Sequence, residues 1–473
     1  MPRTMPALVA MVLCAMLIVV ALLPGTVATA SLQMTPAIRL AIARAKYPDL
    51  RAIPGAPVVH PTLAISGAPV VHPALAGTGG PVASSAATAA FQHHMAHELA
   101  LAGAKSGAYV YDMSTGKPLF AEGATVRRPP ASVEKLYTSV TALERMGPQA
   151  RLETSVLGVG HLTPGGVWEG DLYLHGGGDP TFGSGAFIRS HYGGVGTSVE
   201  ALAAQVKQAG VRRVTGKVYG DESYFNSLRG DPSSGYAWDP YLEGVLSALA
   251  FNRGESGNEK GPHAPAAWAA RRLRAALRAE GVTVEGGGGT ATAPPGAVHV
   301  ASVQSPTITQ LLGLMLPPSD NFFAETLIKG LGARFGGAGT TAAGAKVVRE
   351  TIAELGLHPE LVDGSGLSET DRTSPYEVVT LLNEMARTEL GTILRGDLAV
   401  AGHTGTLSER MRDSAADGRC EAKTGTLTGV SNLAGYCTAA NGNVLAFAFF
   451  NDTIPTPTAH TLQDNMAITL ANY

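Results

Sequence analysis

The middle of this 473-residue chain differs in texture from both of its ends, and that contrast limits what the chain can fold into. Between about 153 and 300 the sequence breaks into short strand-like pieces, such as Asp171–His175 and Arg213–Tyr219, separated by glycine clusters that include Gly176–Gly178 and Gly286–Gly289. One longer helical stretch, Pro265–Glu280, interrupts them. Ahead of this region a helix is expected over Phe91–Leu101, then strands Gly107–Tyr111 and Pro118–Glu122 on either side of the turn-forming run Asp112–Lys117. A further helix is expected from Ser132 to about Glu144, where Val133, Leu136, Val140 and Leu143 recur every three or four residues. After Ser302 helical periods return, and the chain closes with strands Asn432–Thr438 and Val444–Asn451 and an amphipathic helix from about Thr458. The layout implies one α/β (α+β) body split in sequence, 91–152 plus 301–473, with a β-rich region, 153–300, inserted between its parts.

The first ninety residues are of another kind. Arg3, the uncharged apolar run Ala7–Leu23, the Pro24-Gly25 break and the small residues Ala28-Thr29-Ala30 read as a signal peptide over 1–30, cleaved before Ser31. Residues 31–90 read as a Pro-, Ala- and Gly-rich linker, in which Gly55–Pro61 returns as Gly67–Pro73. Two copies are too few for a solenoid, and such composition favours an extended tether. The folded part is therefore expected outside the cytoplasm, secreted, periplasmic or associated with the cell wall. Lys and Arg number 35 against 38 Asp and Glu, a net charge of −3 with no run of either sign. That argues against nucleic acid as a partner, since phosphate binding needs clustered cations.

Cys14 lies within the leader, leaving Cys420 and Cys437. Two cysteines in an exported protein favour a disulfide. They lie equally far from Thr428-Gly429, so a hairpin of Glu421–Thr426 and Asn432–Tyr436 turning there sets them face to face.

Three short motifs carry chemistry, and each has a near copy elsewhere in the chain. Ser-x-x-Lys occurs at Ser132–Lys135 and at Ser114–Lys117. A lysine that takes a serine proton must share its helix face, which the i, i+3 spacing provides. Ser132 follows Pro129-Pro130 and opens an apolar-periodic stretch, whereas Ser114 is followed by Gly116 and Pro118, which favour a turn. Ser-x-Asn occurs at Ser319–Asn321, within the body, and at Ser256–Asn258, within the insert. Lys423-Thr424-Gly425-Thr426 lies in the strand–turn–strand pattern, while its near copy His403-Thr404-Gly405-Thr406 leads into the mixed polar run Leu407–Arg412. Taken in order, Ser-x-x-Lys, Ser-x-Asn and Lys-Thr-Gly are the signature of penicillin-binding proteins and serine β-lactamases.

Over roughly 91–473 the chain resembles the class C low-molecular-mass penicillin-binding proteins, the serine D-alanyl-D-alanine carboxypeptidase/endopeptidase group of the penicillin-binding protein 4 type. The resemblance rests on Pro130–Thr138, Gly170–Leu174 with Gly176–Thr181, Asp363–Ser368 and Ala422–Val430, and on the long gap between Ser132 and Ser319. It implies a fold like that of these proteins and the serine β-lactamases, an antiparallel sheet flanked by helices and interrupted by the insert. It also implies an acyl-enzyme on Ser132 formed from peptidoglycan stem peptides, with β-lactam antibiotics as acylating inhibitors and with no metal or cofactor. Lys135 is the expected base. An ordinary lysine is protonated at neutral pH, and burial or a second cation such as Lys423 lowers its pKa. Ser319 is expected to relay a proton to the leaving amine and Asn321 to orient the substrate amide. Thr424, Gly425 and Thr426 form the strand segment expected to bind substrate, the two threonine hydroxyls holding its terminal carboxylate beside Lys423. The backbone N–H groups of Ser132 and Thr426 are expected to form the oxyanion hole. Glu369 stands where relatives often carry a basic residue.

A serine β-lactamase is the nearest rival, and it needs a glutamate to activate the deacylating water. Glu325, Glu350 and Glu354 are available, but Glu354–His358 lacks the asparagine expected beside such a glutamate. A zinc peptidase built on His93, His94 and His97 lacks the glutamate that H-E-x-x-H places after the first ligand, so solvent-facing histidines are expected there. A wall-binding protein without activity is at odds with the complete motifs.

Overall fold

The computed structural model describes residues 83–254 and 264–473; the leader, nearly all of the linker and the near copy Ser256–Asn258 lie outside the described residues. In chain order the described elements are α1 (Ser85–Leu101), β1 (Gly107–Asp112), β2 (Lys117–Glu122), α2 (Lys135–Arg145), β3 (Glu153–Leu162), β4 (Val167–Gly176), α3 (Gly185–Tyr192), α4 (Val199–Gln208), β5 (Arg213–Val214), β6 (Val218–Asp221) and α5 (Pro265–Ala279). There follow β7 (Thr283–Val284), β8 (Gly288–Thr290), β9 (Val298–Gln304), α6 (Ile308–Met315), α7 (Asn321–Phe335), α8 (Thr341–Ala353), α9 (Pro375–Met385), α10 (Glu389–Gly396), β10 (Ala399–Val400), β11 (Cys420–Leu427), β12 (Val430–Thr438), β13 (Val444–Asp452) and α11 (Thr456–Asn472).

Six strands form one antiparallel sheet in the order β10-β11-β12-β13-β1-β2. Its inner strands read as apolar runs because helices cover both faces. Leu433, Phe447 and Phe449 point into a core shared with Phe91 and Met95 of α1 and Met466 and Leu470 of α11. Ala434, Tyr436, Ala448 and Phe450 point the other way, into a core shared with Leu136, Val140, Phe322, Leu327, Val378 and Leu382. Helix α1 starts ahead of Phe91 because Ser84 caps it, its hydroxyl accepting the Ala87 N–H at 3.2 Å. At the β11–β12 hairpin Cys420 pairs with Cys437 in register, and the two are joined by a disulfide.

Residues 153–304 hold a second sheet, ordered β7-β5-β4-β3-β9, with β6 between β4 and β8. It is mixed: β3 pairs antiparallel with β4 and β9, while β4–β5, β4–β6, β5–β7 and β6–β8 are parallel. Val156, Leu172, Leu174 and Val218 pack against Leu202, Val206, Leu273 and Leu277 of α4 and α5. Two features differ from the expectation. The region carries three helices where the sequence pattern marked one, because α3 and α4 are short. The expected strand Arg213–Tyr219 is two strands, β5 and β6. Between them Lys217 donates its N–H to Asp171 Oδ1 at 2.7 Å, and Gly216 passes so close to Gly170 that a Cβ would lie 2.2 Å from its carbonyl oxygen. Strand β9 runs past position 300 to Gln304, which pairs with Glu153 at the start of β3. Among the described residues no helix is long and apolar enough to cross a membrane.

Candidate active site

Ser132 sits in a 3-10 turn, Ala131–Glu134, that runs straight into α2, so the expected helix begins as a tighter coil. Three neighbours hold the turn. Asn432 of β12 donates its amide to the carbonyls of Pro129 and Pro130, both at 2.9 Å. Gly366, at φ +78°, lies where any Cβ would meet the Ala131 carbonyl oxygen at 1.9 Å. A Cβ on Gly425 of β11 would meet the Pro130 carbonyl oxygen at 2.5 Å, so the glycine of Lys-Thr-Gly is what lets the strand approach. Ala131 itself adopts φ 48°. A left-handed non-glycine residue persists only where its surroundings over-determine it.

Lys135, the first residue of α2, is fully buried, and its ammonium nitrogen touches Ser132 Oγ at 2.9 Å, Asn321 Oδ1 at 2.6 Å and the Ser365 carbonyl at 2.7 Å. Asn321 opens α7, and Asp320 caps that helix by accepting the Phe323 N–H at 3.0 Å. Just before the cap, Ser319 stands at φ 67° with its hydroxyl accepting from Lys423 Nζ at 2.7 Å. Lys423 Nζ also donates to the Thr424 carbonyl at 2.8 Å. Five of the sequence-nominated residues, Ser132, Lys135, Asn321, Ser319 and Lys423, are thus joined in two hydrogen-bonded groups. Thr426 lines a cleft of about 920 Å³ together with Ser132 and Asn321. Thr424 is placed differently from Thr426. It is buried, and its hydroxyl donates to Thr406 Oγ1 at 2.8 Å.

Burial depresses Lys135 to about 8, against the opposing pull of Glu134, Asp363, Glu325 and Asp320. Lys423 is held well below the ordinary lysine range, first by burial and then by the charge of Lys135. Burial leads for both amines, and the charge of Lys135 adds to it at Lys423. Beneath them lie four buried carboxyl groups. Glu325 is pushed up to about 8 by burial and then by Asp363. Burial likewise raises Glu134, Asp363 and Asp371. These carboxyls build the loop that meets Lys135. Asp363 Oδ1 accepts the Ser365 and Gly366 N–H groups at 3.1 and 2.7 Å, Asp363 Oδ2 accepts that of Ser368 at 2.7 Å, and Glu325 Oε1 accepts those of Gly364 and Ser365 at 2.8 and 2.9 Å.

Sequence reasoning assigned no role to Ser365, Asn432, Tyr241 or Arg253, and considered Glu325 only as a water-activating glutamate of the β-lactamase alternative. The Asp-Gly-Ser-Gly run at 363–366 carried the only local signal, an aspartate that folds its own backbone around its carboxylate. Tyr241 and Arg253 come from the 153–304 segment. The Tyr241 carbonyl accepts the Asn321 amide at 2.8 Å, and Arg253 pairs with Asp320 at 2.5 Å. Pro232, Ser233, Asp239 and Tyr241 form one wall of the cleft, and Leu367–Thr370, including Glu369, form another. Ser114 and Lys117 bound the β1–β2 turn, where Asp112 Oδ1 accepts the N–H groups of Ser114 and Thr115 at 2.9 and 3.1 Å. His93, His94 and His97 are exposed on α1.

The profile of the D-Ala-D-Ala carboxypeptidase 3 (S13) family matches residues 87–247 and 257–473. The D-alanyl-D-alanine carboxypeptidase of Actinomadura sp. strain R39 is 31% identical over 459 residues, covering 79% of this chain and 82% of the relative. Carboxypeptidase DacB of Mycolicibacterium smegmatis is 30% identical, covering 76% of this chain and 79% of the relative. Among solved structures, penicillin-binding protein 4 of Haemophilus influenzae superposes with a TM-score of 0.65 at 21% identity, covering 79% of this chain and 97% of that one.

Proposed function

Because this chain belongs to the D-Ala-D-Ala carboxypeptidase 3 (S13) family and is a serine peptidase of the penicillin-binding protein 4 type, we propose that Ser132 is its nucleophile and Lys135 the base that activates it. The observation that carries the assignment is the set of three contacts around Lys135 Nζ. A neutral amine has two N–H donors and one lone pair. With the donors directed at Asn321 Oδ1 and the Ser365 carbonyl, the lone pair faces the Ser132 hydroxyl at 2.9 Å. The depressed pKa makes a share of that neutral form available near neutral pH, far more than an ordinary lysine offers.

Ser132 attacks the carbonyl of the penultimate D-alanine of a peptidoglycan stem peptide as Lys135 takes its proton. Ser319, bonded to Lys423, passes a proton to the departing amine. Water then hydrolyses the acyl-enzyme and frees Ser132. The departing amine belongs to D-alanine in carboxypeptidase action and to a cross-linked stem in endopeptidase action. Asn321 orients the substrate amide, and Lys423 with the hydroxyl of Thr426 receives the terminal carboxylate, whereas the Thr424 hydroxyl, also expected there, is given to Thr406. The N–H groups of Ser132 and Thr426 face the developing oxyanion, a kind of donor worth about 3–4 kcal/mol each. β-Lactams are expected to acylate the same serine, a reading supported by the Haemophilus penicillin-binding protein 4 solved in complex with a β-lactam. The leader expected over residues 1–30 supports export, which would set this chemistry outside the cytoplasm, where such a substrate lies.

The deciding experiment is intact mass after incubation with benzylpenicillin, followed by peptide mapping. A penicilloyl adduct on Ser132 is expected. An adduct elsewhere overturns the nucleophile assignment, and rapid loss of penicillin without an adduct makes the protein a β-lactamase.

A further inference from the structure

The near copy His403–Thr406 is not the substrate-binding strand, yet it reaches the machinery it resembles. Between β10 and β11 the chain turns back on itself. Gly402 donates its N–H to the carbonyls of Leu407 and Arg410 at 3.0 and 2.8 Å, His403 pairs with Asp417 at 2.8 Å, and Leu407 is buried beside Cys420. The tip of this turn makes two contacts. Thr406 donates its backbone N–H to the Pro317 carbonyl at 2.9 Å and accepts the Thr424 hydroxyl on Oγ1 at 2.8 Å. Pro317 leads into Ser319, and Thr424 follows Lys423. Lys423 Nζ in turn donates to Ser319 Oγ and to the Thr424 carbonyl. The contacts close a ring that runs from Ser319 through Lys423, Thr424, Thr406 and Pro317 back to Ser319. Gly405 allows the approach, since a Cβ there would lie 2.2 Å from the Pro317 carbonyl oxygen.

We propose that Thr406 is a positioning residue for the acyl-transfer site, tying the Lys-Thr-Gly strand to the Ser319 turn so that Ser319 stays on Lys423. The proposal rests on the serine-peptidase mechanism above. Ser319 is left-handed, and a strained turn relaxes unless it is held from outside. Thr406 is exposed and contributes nothing to the core, so its worth lies in the ring and not in the stability of the fold.

The test uses Thr406→Val, Thr406→Ser and Ser408→Ala, the last lying on the same turn with no side-chain hydrogen bond among the described residues. Benzylpenicillin acylation is followed by stopped flow, separating initial binding from the acylation step, beside thermal unfolding. One hydrogen bond of this kind is worth about 0.5–1.5 kcal/mol, or roughly 2- to 12-fold in rate. Thr406→Val is expected to slow the acylation step roughly 3- to 10-fold with binding and unfolding temperature unchanged, while Thr406→Ser and Ser408→Ala stay within about 1.5-fold of wild type. Gly405→Ala, which presses on Pro317 itself, is expected to slow acylation further. Thr406→Val acylating within about 1.5-fold of a wild type that is acylated on Ser132 overturns the role of Thr406 alone. A wild type that is not acylated overturns the serine-peptidase mechanism and this role with it.

Discussion

Strand β12 is buried from Val430 to Cys437, whereas β5 and β7 in the other sheet are two residues long and β8 is three. Both sheets close apolar cores, but only the first is covered on both faces along whole strands. A strand pinned from both sides cannot shift register or tilt without unpacking two cores. Side chains on it and beside it are therefore aimed. All the nominated catalytic residues belong to this body, with Lys423 on β11 and Ser132, Lys135, Ser319 and Asn321 on the turns and helices against it. The mixed sheet contributes differently. What reaches the site from its segment is a backbone carbonyl, Tyr241, a cleft wall, and one buried ion pair, Arg253 with Asp320. A region that supplies backbone contacts and walls can be made of short, glycine-rich strands.

The contrast can be broken at its strongest point first. Lys135→Ala should slow penicillin acylation roughly 10²- to 10⁴-fold, the usual worth of a positioned base, while far-ultraviolet circular dichroism stays native. Acylation at the wild-type rate would remove Lys135 from the base role.

Next comes the link between the regions. The side chains of Arg253 and Asp320 are 13% and 9% exposed, so Arg253→Ala strands a buried carboxylate and should cost about 3–5 kcal/mol in denaturant unfolding. A cost below about 1 kcal/mol would mean that the two regions are energetically independent.

The buried carboxyls give a pH signature. Glu325 holds its proton to about 8 in the folded protein against 4.5 ordinarily, so the native state binds the extra proton between those values. Its contribution is present in full below about 4.5 and is lost as pH rises through 8, and the raised Glu134, Asp363 and Asp371 act in the same sense. Lys135 works the other way, but its window lies above about 8. The urea midpoint should fall between roughly pH 5 and 8, and Glu325→Gln should flatten that fall. A wild-type midpoint flat across this range would show that the carboxyls are ionised and compensated.

The smallest effects sharpen the contrast within one substitution type. Gly425→Ala must push on the Pro130 carbonyl and should cost about 1–3 kcal/mol, whereas Gly289→Ala on β8 meets nothing within 4 Å and should stay within about 0.5 kcal/mol. Equal costs would deny that the body is the more tightly packed region.

Much of the body was legible because its signals are local. Two prolines followed by periodic apolar residues mark the start near Ser132, and the equal spacing of Cys420 and Cys437 about Thr428-Gly429 sets the hairpin register that β11 and β12 adopt. The missed residues act through contacts that no short window contains. The Ser365 carbonyl reaches Lys135 across 230 residues, and the Tyr241 carbonyl reaches Asn321 across 80. Any residue type offers a backbone carbonyl, so composition is silent about both. The left-handed Ala131 escaped for a related reason, since alanine gives no sign of it and the cause is the fit of Gly366 and Asn432 around the turn.

The neck of the mixed sheet has a consequence for how such chains vary. Glu153 and Gln304 are register partners, Ser305 donates its N–H to the Leu152 carbonyl at 2.8 Å, and Ile308 does the same to Ala150 at 2.9 Å. The polypeptide therefore leaves the body and returns to it at one point. Sequence separation between Lys135 and Asn321, 186 residues, is thereby uncoupled from their 2.6 Å contact. Insertions and deletions beyond the neck can change that count without moving the two ends of the body apart, provided that they spare Tyr241, whose carbonyl holds Asn321, and Arg253, which pairs with Asp320.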